Sequence, residues 1–206
     1  MPNPAQGHDR HHEERRGQAL DMAALGRLGE ALRQESTPAA AFTFMLLTGC
    51  RPGEALNARW AAIGLDARIW HLPASKAGPR SVYLGRPAID LLRALPCCGD
   101  LVFPGRSSGP MSDLKRLWER LAARMRLHDA TRHTFNSTAA YFGLPREIRM
   151  RLMDHSLGRD VHGIYTHLRP EQLLAAADLI AGGLAAALRG ERQEGRVLRF
   201  EPRPLP

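Results

Sequence analysis

The 206-residue chain is nearly without lysine: of its 29 basic residues all are arginine except Lys76 and Lys115. Tyrosine is scarce, with three residues, and the three cysteines include an adjacent pair, Cys97 and Cys98. An odd, partly vicinal set of cysteines does not make a disulfide framework and fits reduced thiols, hence a cytoplasmic setting. No run approaches the ~20 apolar residues of a membrane span. The N-terminal MPNPAQGHDRHHEERRG lacks the apolar stretch of a secretory signal. Zinc motifs are missing as well. Neither HExxH nor a CxxC pair occurs, and His8, His11 and His12 lie in a polar tail. These absences lead away from secreted scaffolds, membrane proteins and zinc hydrolases, and no metal or other cofactor is expected.

What is present points to a polyanion. The formal net charge is +8 and the isoelectric point about 10.4, which favours nucleic acid before a membrane surface. The hydrophobic share, 44%, is that of a globular protein. Residues 1–18 read as a disordered tail, 19–188 as one folded domain and 189–206 as a second flexible tail. Helical periodicity runs over 19–34, and Pro38 opens a second helix that is apolar all round and ends at Gly49. A third helix, PGEALNARW, starts at Pro52. Two short β-prone runs, 68–73 and 80–84, flank the turn-rich ASKAGP and predict a hairpin with Lys76 near its tip. Helices are expected again over 87–95, 113–126, 130–141, 146–153 and 171–188. The fold class is therefore mainly α with a small antiparallel β-sheet. The expected core comprises Phe42, Phe44, Leu46, Leu47, Leu56, Leu91, Leu117, Trp118, Phe135, Leu152 and Ile164.

Chemistry concentrates in a few stretches. In TGCRPGEAL, Arg51 stands where a helix begins, beside backbone N–H groups, a place that suits a phosphate. Glu54 follows three residues on and either holds Arg51 or caps the helix. The plainer alternative is a solvated arginine with a capping glutamate. In RLHDATRHTFNSTAAYFGL, Arg132 and His133 open a helix with His128 just ahead; a phosphate site and a merely basic helix start both fit. DHSLGRDVHGIYTH packs three histidines and one tyrosine into 14 residues. His155 follows a helix, and Tyr165 comes ten residues later with His162 three before it. A tyrosine hydroxyl, with a pKa of about 10, is a weak nucleophile unless cations surround the group it attacks. Otherwise Tyr165 is an ordinary core residue.

The order of these segments resembles the catalytic domain of the tyrosine recombinases, also called phage integrases. The series is Arg-x-x-Glu in TGCRPGEAL, a hairpin lysine, His and Arg in HDATRHTF, LMDHS, and IYTHL, and it covers about Ala19 to Ala187. The resemblance implies that Arg51 and Arg132 bind the phosphate, with Glu54 supporting Arg51. It implies that Lys76 is the hairpin lysine, His155 the histidine of the third motif and Tyr165 the nucleophile. His162 and His167 are given no chemical role. The expected reaction cleaves and rejoins double-stranded DNA through a 3′-phosphotyrosyl link without metal or nucleotide cofactor. The C-terminal helix is expected either to dock on a neighbouring copy in a tetramer or to pack on its own domain.

Two features depart from the family pattern. His128 is four residues before Arg132, with Asp129 in the slot that usually holds His or Lys. Only some 18 residues precede the domain, where relatives usually carry an N-terminal helical clamp. A fragment, a natural minimal form and a remnant of a mobile element all fit that shortness. A type IB topoisomerase-like enzyme and a DNA-binding remnant that no longer cleaves are the rival readings.

Overall fold

The computed structural model describes residues 19–33, 37–73, 78–105, 109–111, 114, 117, 119, 127–153 and 168–191, with side chains of 127–129 left aside. Helix α1 spans Met22–Leu32, and the Asp21 side chain caps it by accepting the Ala24 N–H at 2.7 Å. Its Leu25, Leu28 and Leu32 form one buried face. Helix α2, Thr37–Thr48, has buried residues on every side, as its unbroken apolar sequence requires. Gly49 ends it with φ 64°, a conformation that favours glycine. Helix α3, Pro52–Leu56, is shorter than its sequence promises. The chain then leaves to pair with a distant loop, since the Ala58 carbonyl accepts Val102 N–H at 2.9 Å and Trp60 N–H bonds the Asp100 carbonyl at 3.0 Å.

A three-stranded antiparallel sheet follows, β1 (Ile63–Gly64), β2 (Ile69–Leu72) and β3 (Arg80–Tyr83), in sequential order. The register pairs Trp70 with Val82 and Leu72 with Arg80. Trp70 and Val82 are buried, so one face of the sheet packs inward. The Phe44 ring meets Trp70 at 5.5 Å and Phe103 at 5.4 Å, which fastens α2 to the sheet. The hairpin strands begin and end within a residue of the sequence expectation, whereas β1 is too short to leave a pattern.

Helix α4 is Arg86–Arg93, α5 Leu127–Tyr141, α6 Arg146–Met153 and α7 Pro170–Leu188. Asp178 of α7 ties three pieces together. It accepts Arg68 Nη1 at 2.6 and 2.8 Å and the Arg86 N–H, the first of α4, at 2.7 Å. Arg68 itself has an unusual φ of 56°. Helix α7 runs through the domain and touches α1, α2, α4, α5, α6 and β3. Among the described residues it is the helix long and apolar enough to cross a membrane, an amendment to the expectation that no such run exists. Here its buried residues face the domain's own core. Close approach to α1 depends on Gly29, where a Cβ would lie 1.8 Å from the Leu188 carbonyl oxygen.

Of the expected core, Phe42, Phe44, Leu46, Leu47, Leu117, Phe135 and Leu152 are buried, and Leu56 and Leu91 pack against them partly exposed. Trp118 and Ile164 lie outside the described residues.

Candidate active site: a cation cluster around Glu54

The end of α2 and the middle of α5 face each other across the core, and the site is built at that junction. Arg132, in α5, is 4% exposed. Its Nη1 donates to the Gly49 carbonyl at 2.6 Å and its Nη2 to the Met153 carbonyl at 2.7 Å. The guanidinium therefore bridges the ends of α2 and α6, and its plane is fixed by bonds on both arms. Burial pushes its pKa down to about 10, with the Arg51 charge the next cause, opposed by Glu54. At neutral pH it remains a cation held in place where water cannot screen it well.

Arg51 occupies the N-cap of α3. Its backbone N–H donates to Glu54 Oε2 at 2.8 Å and its Nη1 to Glu54 Oε1 at 3.0 Å. The Pro52 that follows suits the first helical turn, and the three-residue spacing lets the carboxylate reach back. Glu54 thus caps the helix and holds the arginine at once, the two roles that the sequence left as alternatives. Burial by itself would raise the Glu54 pKa. The Arg51 N–H, the Arg80 charge and the side-chain bonds outweigh it, and the group lies below its ordinary value.

Arg80, the first residue of β3, is a member of the cluster that the sequence reading passed over. Its Nη2 donates to Glu54 Oε2 at 2.8 Å, and both side chains are under a tenth exposed. The available signal was an arginine four residues past Lys76, opening an otherwise uncharged strand. Cys50 fills the space between these groups. Burial raises its thiol to about 12, so it is a protonated filler and no nucleophile at neutral pH.

Arg51, Glu54 and Arg132 are brought together. Among them Arg51 is the charged neighbour felt most by Arg132. Lys76, His155 and Tyr165 lie outside the described residues. His128 lies within α5, which starts at Leu127, three residues earlier than the pattern suggested. The extra residue is therefore inside the helix, where each residue turns ~100°, so Asp129 holds the position three before Arg132 and His128 the position one turn back. His133 is exposed. No group of three or more metal-ligating side chains occurs among the described residues.

Comparison with known proteins agrees with this fold. The phage integrase family profile matches residues 19–172. A shufflon-specific DNA recombinase of Escherichia coli is 33% identical over 143 residues, which are 66% of this chain and 36% of that protein. The chain thus spans about a third of the length of this curated relative. The fold is similar to that of the integrase from mycobacterium phage Brujita, with a TM-score of 0.64 at 16% identity over 84% of this chain and 60% of that one. It is also similar to that of the XerA recombinase, with a TM-score of 0.57 at 20% identity over 75% and 62%. An apolar helical core with a three-stranded sheet is thus the frame of a known kind of domain, and the chain, matched over residues 19–172, belongs to the phage integrase family, the tyrosine recombinases.

Proposed function

We propose that the chain is a site-specific DNA strand transferase acting on double-stranded DNA, with Tyr165 as nucleophile. The single observation that carries this reading is the convergence of Arg51 and Arg132, 81 residues apart in sequence, with Glu54 holding Arg51 and the Gly49 carbonyl, two residues before Arg51, holding the Arg132 guanidinium. A structural relative, the XerH site-specific recombinase, is described bound to its difH substrate in a pre-cleavage complex, which supports DNA as the partner.

In the reaction the Tyr165 oxygen bonds to a backbone phosphorus, the bond from phosphorus to the 5′ oxygen breaks, and a 3′-phosphotyrosyl link remains beside a 5′-hydroxyl. The phosphorus passes through a five-coordinate state whose non-bridging oxygens gain charge. Arg51 and Arg132 meet that charge as donors already oriented, so little reorganisation is needed at the moment of reaction. His155 adds a donor to one of those oxygens. Lys76 protonates the departing 5′ oxygen, while His128, one helical residue out of the family register, is left without a step. No metal or nucleotide enters, because the covalent link retains the energy of the broken bond and a 5′-hydroxyl reverses the attack. A homo-oligomer on DNA would use the part of α7 that its own core leaves uncovered.

The test is a nicked duplex with a random core, in which the short strand carrying the 5′-hydroxyl diffuses away after cleavage. Incubated with the protein and denatured in detergent, it yields a covalent protein–DNA band that Tyr165→Phe abolishes. Binding without any band identifies a DNA-binding remnant and overturns the reading.

A further inference from the structure

We propose that Arg80 is a positioning residue for strand cleavage, acting on the phosphate through Glu54 and Arg51. The inference rests on the function proposed above and adds a member to its machinery.

Glu54 carries the argument. Its Oε1 faces the Arg51 guanidinium at 3.0 Å, while its Oε2 takes the Arg51 backbone N–H and Arg80 Nη2, each at 2.8 Å. Arg80 thus orients the carboxylate from the side opposite the Arg51 fork. The Arg80 and Glu54 side chains are 8% and 9% exposed, whereas Arg51 is 27% exposed. The buried partner is the anchor and the more exposed one is the working group. Without Arg80 the carboxylate loses the donor that holds Oε2 beside the Arg51 N–H, and the carboxylate that faces the Arg51 fork is no longer fixed from its other oxygen. A buried charge that loses its partner also shifts position. Placement is the other element. Arg80 opens β3 opposite Leu72, so the same bond fixes the turn end of the hairpin to α3.

The experiment measures single-turnover formation of the covalent complex on the duplex recovered from the random pool, at DNA concentrations above the dissociation constant. Arg80→Met is expected to slow it about 100-fold, the loss typical of a misplaced charge-stabilising group. DNA affinity should change by less than about threefold, since Arg80 touches no DNA in this scheme. A methylphosphonate at the cleaved position removes the charge that Arg51 meets, so on that substrate the gap between the two proteins should shrink. Loss of stability alone predicts no such substrate dependence. Glu54→Gln combined with Arg80→Met should be no slower than Glu54→Gln, because both act in one network. Should Arg80→Met fail to fold, Arg80→Gln decides, as it keeps a polar side chain and removes the cation from Glu54 Oε2. If the folded variant cleaves within about twofold of the unaltered chain, the positioning role is overturned while the proposed function stands. If the unaltered chain forms no covalent complex on any DNA of the pool, the proposed function and this role fall together.

Discussion

Replacing Gly49 with alanine strikes the joint between fold and site. Gly49 has φ 64°, and an added Cβ would lie 2.8 Å from Cδ1 and Cγ of Phe135. The left-handed backbone costs a residue with a side chain about 1–2 kcal/mol. Phe135 is fully buried and has no free end to retreat, so the overlap adds about 1–3 kcal/mol. A total of roughly 3 kcal/mol lowers the melting temperature of a domain this size by roughly 6–12 °C. The Gly49 carbonyl also accepts Arg132 Nη1, so any shift of this turn moves the guanidinium. Gly182 supplies the control. It lies inside α7 with nothing within 4 Å of an added Cβ, so Gly182→Ala should gain up to about 1 kcal/mol from helix propensity. Thermal unfolding followed by circular dichroism reads both variants, with covalent complex formation measured alongside. Equal melting temperatures for Gly49→Ala and the unaltered chain would refute the packing argument at this turn.

Asp178→Ala removes the acceptor shared by Arg68 and the first N–H of α4 and should cost about 2 kcal/mol, measured by urea unfolding. Glu54 has a folded pKa below its ordinary 4.5, so the unfolded chain takes up a proton first as the medium is acidified. Its stabilising contribution is complete above pH 4.5 and is lost as pH falls through the folded value, and urea midpoints should show a shallower acid slope in Glu54→Gln. The exposed thiols of Cys97 and Cys98 should alkylate in the native protein at pH 8, while Cys50 reacts only after denaturation, as mass spectrometry of the modified peptides can show.

The helical frame and the hairpin were legible because their periodicities are strong. The apolar run of α2 and the paired β runs around ASKAGP leave few other solutions. Strand β1 was not, since two residues carry no period. Helix α3 ended early because the Ala58 carbonyl and Trp60 N–H bond a loop some 40 residues away, a long-range pairing with no local mark. At the site, Arg51, Glu54 and Arg132 could be picked out because motif order placed them. Arg80 could not, because its importance lies in a bond to a carboxylate 26 residues earlier, visible only once β3 is folded against α3. The start of α5 at Leu127 likewise fixed the register of His128, which composition leaves open.

The most direct test of the central claim compares the rate of covalent complex formation for the unaltered chain, Arg51→Lys and Arg132→Lys at saturating nicked DNA. Each lysine keeps a charge but loses the rigid fork, and the account predicts a fall of about 100-fold for each, with DNA binding retained. Rates within about twofold of the unaltered chain for both variants would show that oriented guanidinium groups do not stabilise the reacting phosphate, and would contradict the account.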